Sequence, residues 1–379
     1  MQTRQLYELA GQAGRARHGQ LRLHPDLQSV ACPVFMPVGT AATVKGLWQY
    51  QLDEIGYRLI LGNTYHLSLR PGSAVIQSAG GVCSFQNWPH ALLTDSGGYQ
   101  VFSLAERVRF VEQGVEFASH IDGSRQLFTP TRVIDLQRDF GSHIMMVLDD
   151  CPPASADAAR VRESLDRTHR WAQAAMDYYQ ACVAEGRIDP HRQHLFGIVQ
   201  GHLSQTARLE SLERIQELPF DGIAIGGLSV GESRAELHDM LAFLGEHLDP
   251  YRPRYLMGVG TIPDMLAGVE NGIDMFDCVL PTRNARNGQL LTSQGKLNIR
   301  NQAHQFDQSP PDPACACRVC QNYSRSYLRH LFVSQEMAGP MMASYHNLFF
   351  YFQFMRALQE SIQQGTFADF CAHWKKIPF

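Results

Sequence analysis

Eight short apolar runs, each ending in a small or reactive polar residue, constrain this chain more than any other feature. They occupy positions 34–38, 58–62, 91–95, 144–149, 195–200, 222–226, 255–259 and 273–277. Continuous apolar runs of this length suit strands buried on both faces, as in a parallel sheet. Helical patterns separate several of them, at 158–185, 205–217, 234–248 and 263–271. This alternation predicts an α/β chain folded as a (β/α)8 barrel. The rival is a doubly wound sheet, which should carry Gly-x-Gly-x-x-Gly at the start of a helix. The glycines of Gly226-Gly-Leu-Ser-Val-Gly231 follow a strand without matching that pattern.

Two stretches interrupt the alternation. Residues 103–140 exceed a normal barrel connection, and Val115 to Arg125 reads as a hairpin around Asp122-Gly123. Residues 285–346 are polar, rich in turns and cysteine-bearing, and are expected to form a small metal-braced insert within a single catalytic domain spanning 1–379. An amphipathic or largely buried helix is expected over 349–364.

Composition narrows the function. The 379 residues are 44% hydrophobic and carry a formal charge of -4, so any nucleic-acid contact must come from local basic clusters. The first residues lack the apolar stretch of a secretion signal, and no apolar run reaches the ~18 residues of a membrane span. The nine cysteines do not form a disulfide framework; a reducing cytoplasm is expected, with thiols free or bound to metal.

Cys315-Ala-Cys-Arg-Val-Cys320 places three thiols in one turn, introduced by Pro310, Pro311 and Pro313. Three thiolates and one imidazole make a closed tetrahedral zinc site of the structural kind. His346, His330 and His304 are the candidate fourth ligands, and spacing alone does not choose among them.

Asp95, Asp149 and Asp277 each end an apolar run, where a carboxylate has no packing purpose. One carboxylate can attack an anomeric carbon while a second moves protons. Gln200 also ends a strand, and its amide can donate and accept toward the edge of a purine-like base. Gly226 and Gly227 can expose backbone amides to the same ligand, and Glu232 lies just beyond to meet a ligand cation.

From about Phe35 to Phe370 the chain resembles the tRNA-guanine transglycosylases, of the bacterial type. The resemblance rests on Leu61-Gly-Asn-Thr-Tyr-His-Leu67, Asp95-Ser-Gly-Gly-Tyr-Gln-Val-Phe-Ser103, Ser119-His-Ile-Asp-Gly-Ser124, Gly197-Ile-Val-Gln-Gly201 and Gly226-Gly-Leu-Ser-Val-Gly-Glu232. The run Met275 to Gly288, the cysteine cluster and Tyr345-His-Asn-Leu348 complete it. The resemblance implies a barrel with a zinc-binding insert, one structural zinc per chain, and Cys315, Cys317, Cys320 and His346 as its ligands. It implies a pentosyltransferase of queuosine biosynthesis that exchanges guanine 34 of a tRNA anticodon for 7-aminomethyl-7-deazaguanine (preQ1). By resemblance Asp277 is the nucleophile on C1′ and Asp95 the acid/base group of a ping-pong reaction through a covalent ribosyl-enzyme. Asp149, Gln200 and Gly227 recognise the base, Tyr99 stacks on it, and Leu228 with Glu232 senses the aminomethyl group. Ser96, Cys151, Val230 and Met257 complete the substrate-binding set.

The implied partners are tRNAs with GUN anticodons (aspartate, asparagine, histidine and tyrosine acceptors), guanine and preQ1, and a second copy of the chain in a homodimer. The RNA is expected across Arg283, Arg286, Lys296, Arg300 and Arg329, with Arg283 to Arg286 at the anticodon loop and uridines 33 and 35. The chain departs from the family at Asp150, where the bacterial pattern has glutamate, and the segments 81–88 and 340–345 also diverge. Cys151 and Val230 fit the preQ1 type; glycine in place of that valine accompanies the larger queuine. Exchange with queuine or another 7-substituted deazaguanine, and a noncatalytic tRNA-binding subunit, are the competing functions. Retention of Asp95 and Asp277 argues against the second.

Overall fold

In the computed structural model, which describes residues 6–104, 106–153 and 155–379, eight parallel strands form one ring. They are Val34–Met36 (β1), Leu59–Asn63 (β2), Ala91–Asp95 (β3), Ile144–Met146 (β4), His194–Val199 (β5), Gly222–Ile225 (β6), Arg254–Leu256 (β7) and Met275–Asp277 (β8). Their order is β1-β8-β7-β6-β5-β4-β3-β2. The ring closes through a parallel bridge from Val38 to Leu61, where Leu61 N–H donates to Pro37 O at 3.0 Å. The expected (β/α)8 barrel is therefore present, and each strand falls within its apolar run or within one residue of it. The strands are buried along their whole length at β2 and β5, which is why their sequences run apolar instead of alternating.

The connecting helices start where side-chain caps allow. Asp157, Ser204, Ser233 and Thr261 accept the orphan N–H three residues on, opening helices Ala158–Ala184, Gln205–Glu217, Arg234–Gly245 and Ile262–Glu270. At Ser233 the bond is reciprocal, since Glu236 accepts the Ser233 N–H at 2.8 Å.

The N-terminal end of the barrel is floored by an antiparallel sheet of Tyr7–Ala13, Ala16–Leu21 and Val30–Cys32. Arg17 reaches from this floor to Asp274, at the base of β8, with Nη2 and Oδ2 2.7 Å apart and both side chains buried. The same carboxylate accepts the N–H of Arg254 at 2.8 Å, so one ion pair ties the floor to two strands.

The long connection after β3 is a three-stranded antiparallel sheet, Glu106–Val111, Gly114–Ala118 and Arg125–Phe128. Its second turn is the expected one, with Asp122 Oδ1 receiving the N–H of Ser124 at 3.1 Å. After β8 come a short helix Leu280–Arg286, a hairpin of Gln289–Thr292 and Gly295–Asn298, and helices Arg318–Asn322 and Arg325–Val333.

The helix expected from Phe349 begins at Ala338 and runs to Gln363. Residues 338–346 belong to the stretch expected to form the insert; the helix accommodates Pro340 because a proline in the first turn lacks only an N–H that has no helical partner anyway. This helix is seated along the barrel wall: Tyr351 Oη donates to Gly260 O at 2.5 Å and Gln359 Nε2 to Pro33 O at 2.8 Å. Among the described residues no helix is long and apolar enough to cross a membrane.

Candidate active site

The C-terminal mouth of the barrel opens into a cavity of about 460 Å³. Asp95, Ser96, Tyr99, Asp149, Cys151, Gln200, Gly227, Leu228, Val230, Met257, Asp277 and Arg283 all line it. Residues from six of the eight strand ends thus converge, although they are spread over 189 positions of sequence from Asp95 to Arg283, counted inclusively.

Asp95 and Asp277 end β3 and β8 as expected. Asn63 Nδ2 donates to Asp95 Oδ2 at 2.5 Å and the N–H of Thr64 to Oδ1 at 3.0 Å, so the end of β2 holds this carboxylate. Burial pushes Asp95 up to about 7, against those donors, and the negative charge of Asp277 adds to the rise. Gly97 follows at φ 79°, and a Cβ there would lie 2.9 Å from the N of Tyr65, so only glycine lets this turn close beside β2.

Asp277 is 9% exposed. Its Oδ1 accepts both the phenol of Tyr255 at 2.6 Å and the N–H of Gly258 at 2.7 Å, while Oδ2 has no hydrogen-bond partner among the described residues. Burial raises its pKa, and those two donors oppose the rise. Burial and the adjoining charge of Asp277 hold the Tyr255 phenol well above its ordinary range, so it stays a donor.

Asp149 lies beyond the end of β4 instead of in it. Gln200 Nε2 donates to its Oδ2 at 2.7 Å and Ser96 Oγ to Oδ1 at 3.1 Å. Burial pushes this carboxyl up to about 6, against both donors. Gln200 Oε1 is buried with no partner, an acceptor still to be satisfied.

Glu232 does not line the cavity. Its carboxylate receives the N–H of Val230 at 3.0 Å and that of Ser229, folding the loop behind Leu228 and Val230. Asp150 points away from the mouth and is fully buried. Arg160 Nη2 meets its Oδ1 at 2.6 Å, Arg167 binds Oδ2, and the Arg167 guanidinium lies 3.6 Å over the ring of Phe110. This residue therefore clamps the antiparallel sheet and the helix Ala158–Ala184 to the loop that carries Asp149. Asp150 still reaches the pocket as a field, since its charge adds to the rise at Asp149.

Sequence reasoning missed Tyr255, Asn63 and Arg208 as individual site residues. Asn63 stood inside a quoted motif, at a strand end beside Asp95, and that placement was its signal. Tyr255 opened an apolar run and looked like core. Arg208 had no sequence signal: it is fully buried, and its partners are backbone carbonyls assembled by the fold.

Arg283, Lys296 and Arg300 are exposed, and Arg286 and Arg329 are half-buried. None of the five pairs with a carboxylate among the described residues. Arg329 Nε donates to Asn301 O at 3.0 Å, and Arg300 lies over Phe332 at 5.6 Å. Burial and the neighbouring charge of Arg283 depress Arg286, whose Nη1 is buried without a partner.

The Sγ atoms of Cys315, Cys317 and Cys320 lie 3.8, 3.4 and 3.2 Å from His346 Nδ1, and all four ligand atoms fall within 4.8 Å of one another. His346 Nε2 donates to Leu291 O at 2.8 Å, which leaves Nδ1 as the lone pair facing the sulfurs. The geometry selects His346. His330 faces Ser334, and His304 pairs with Asp307 at 3.4 Å. These four residues can hold a metal ion. The next residue, Asn347, accepts Leu291 N–H at 3.0 Å and donates to Pro281 O at 2.9 Å, joining the cluster to the helix Leu280–Arg286.

A family model described as queuine tRNA-ribosyltransferase matches residues 12–377. A protein of that name from Leptospira biflexa serovar Patoc is 53% identical over 362 residues, covering 96% of this chain and 95% of the relative. One from Solidesulfovibrio magneticus is 49% identical over 365 residues, covering 96% and 95%. Another, from Caldanaerobacter subterraneus subsp. tengcongensis, is 48% identical over 341 residues, covering 90% and 89%.

Proposed function

Because the chain belongs to the queuine tRNA-ribosyltransferase family, we propose that it is a tRNA-guanine transglycosylase that replaces guanine 34 of GUN anticodons with preQ1. The observation that carries this reading is the pairing of Asp277 and Asp95 in one cavity with different environments. Asp277 receives two hydrogen bonds on Oδ1, which leaves Oδ2 to attack C1′ of the ribose. The C1′–N9 bond breaks as the aspartyl–C1′ bond forms, and guanine departs with a proton from a site group. The incoming base then loses its ring proton to Asp95, and its nitrogen displaces Asp277. A carboxyl raised to about 7 suits a group that must both hold and release a proton near neutrality. One glycosidic bond replaces another, so no nucleotide triphosphate is required.

Base recognition follows from the rest of the cavity. Asp149, Gln200 and Ser96 form a hydrogen-bonded acceptor–donor edge of the kind a guanine face requires, with Gly227 beside it. Tyr99, 52% exposed at the rim, is placed to cover a planar ligand. Cys151 and Met257 line the walls, and Leu228 and Val230 line the end where a 7-substituent would project, with Glu232 holding their loop.

The five unpaired cations Arg283, Arg286, Lys296, Arg300 and Arg329 are assigned to the tRNA backbone, where they position the anticodon loop. Zinc is the ion that best suits Cys315, Cys317, Cys320 and His346. Zn–S near 2.3 Å and Zn–N near 2.0–2.1 Å require S···N edges of about 3.6 Å in a tetrahedron, close to those found. A four-ligand zinc of this kind contributes folding free energy to its surroundings and takes no part in the chemistry.

We assign the working unit to a homodimer. The stacked pair Tyr323–Tyr327 and the pair Trp48–Tyr50 are exposed, and Arg318 with Glu54, 2.7 Å apart, ties the helix Arg318–Asn322 to a short helix Gln49–Ile55. Incubating the protein with a GUN tRNA and preQ1, then digesting and weighing the nucleosides, tests the main reading. Loss of guanosine 34 with gain of the preQ1 nucleoside is expected; an unchanged position 34 rules the reading out.

A further inference from the structure

Arg208 leaves the first turn of the helix Gln205–Glu217 and is fully buried, with no carboxylate in ion-pair range among the described residues. It ends on four backbone carbonyls instead. Nε donates to His202 O at 2.7 Å, Nη1 to Val199 O at 3.0 Å and Gly226 O at 2.7 Å, and Nη2 to Gly227 O at 3.0 Å. Gly201 makes this possible: a Cβ there would lie 2.7 Å from the N of Arg208, so a side chain would drive the helix away. A buried cation without a counter-ion is costly, and core packing alone does not call for one.

In a trans peptide the C=O and the next N–H point in opposite directions. Turning the carbonyls of Gly226 and Gly227 onto the guanidinium therefore turns the N–H groups of Gly227 and Leu228 away from it. All three residues line the cavity, and neither N–H has a protein partner among the described residues. Gly227 has φ 64°, the left-handed conformation found in backbone nests, in which two successive N–H groups can serve one anion or carbonyl oxygen.

We propose that Arg208 is a positioning residue that sets and polarises the amides of Gly227 and Leu228 as a paired donor for the carbonyl oxygen of a 6-oxopurine base. The proposal rests on the reading of this cavity as the base-binding site. The cation draws electron density through both peptides and makes their N–H groups stronger donors. Its charge is present at neutral pH, because burial lowers Arg208 only to about 10.

The test compares guanine with 6-thioguanine, in which a weakly accepting sulfur replaces that oxygen and the other edge atoms stay the same. Binding of each to the full-length protein is measured by calorimetry for the parent, Arg208→Lys and Arg208→Gln. The parent is expected to prefer guanine about tenfold, the worth of one good hydrogen bond. Both variants should lose about that factor toward guanine and far less toward 6-thioguanine. Equal losses for both ligands assign Arg208 a merely structural role and overturn the proposal, with the base-site reading intact. A parent that binds both ligands equally overturns the proposal with the base-site reading intact, and a parent that binds neither overturns both. If neither variant folds, the parent labelled with ¹⁵N-arginine decides. The Arg208 side-chain signal should move with guanine and stay put with 6-thioguanine, and identical behaviour with both overturns the proposal.

Discussion

Tyr255 donates its phenol to Oδ1 of Asp277 at 2.6 Å, from one barrel strand to the next. That bond favours the charged form of the carboxylate, and burial opposes it. Tyr255→Phe should therefore raise the pKa of Asp277 and move the acid limb of the kcat/KM profile to higher pH. Exchange at neutral pH should fall on the order of tenfold or more, the worth of a hydrogen bond to a charged group. A pH profile of labelled-guanine exchange measures both, and an unmoved acid limb would show that the phenol does not tune the nucleophile.

The two aspartates should separate on substitution. Asp277→Asn should abolish both exchange and the covalent RNA adduct, because an amide is a poor nucleophile. Asp95→Asn should still form some adduct and lose roughly 10²–10⁴ in turnover, as for removal of a positioned acid/base group. Denaturing gels with an anticodon stem-loop report the adduct. Normal adduct from Asp277→Asn with none from Asp95→Asn would reverse the assignment.

Asp95 also makes a statement about stability. Its pKa rises from 3.8 to about 7 on folding, so the native state binds the proton more tightly than the unfolded chain. The stabilising contribution is complete below pH 3.8 and is lost as pH rises through 7. Between pH 5 and 8 the Tm of the parent should therefore fall relative to that of Asp95→Asn. A variant whose Tm tracks the parent across that range contradicts the raised pKa.

The metal prediction is one zinc per chain. Chelation, or Cys317→Ala, should lower the Tm and expose residues 287–333 to protease before the barrel strands. Elemental analysis that finds no zinc in folded, active protein excludes the assignment.

Val230 bears on the size of the incoming base. The parent should incorporate preQ1 well and queuine poorly, and Val230→Gly should narrow the gap by at least the 10-fold or so that one misfitted apolar group is worth. Competition between the two bases in one reaction reads this out. Equal incorporation by the parent removes the steric gate.

The features legible in the sequence were those whose cause is local. A carboxylate closing an apolar run, as at Asp95 and Asp277, is visible because nothing else explains it there. Cys315, Cys317 and Cys320 are visible because density itself is the signal. The ligand histidine was left open by spacing, since His304, His330 and His346 differ only in where the chain carries them. Arg208 and Asp150 were illegible as anchors, because their partners are carbonyls and guanidiniums brought together by the fold. Glu232, which the sequence placed where it could meet a ligand cation, also accepts the N–H groups of its own loop, and those partners come only with the fold.

The helix Ala338–Gln363 spans about 39 Å at 1.5 Å per residue. Near its start it supplies His346 to the cysteine cluster, and near its end Gln363 meets His18 in the floor at 2.6 Å. It thus works as a strut running the full height of the barrel, and the hairpin carrying Lys296 is fixed to it through Asn347. A mount anchored at both ends leaves little compliance between the cationic face and the mouth. In the proposed reaction the nucleic acid supplies the motion: the anticodon must unstack and swing its base inward, toward a receptor whose two working surfaces already stand at a fixed separation.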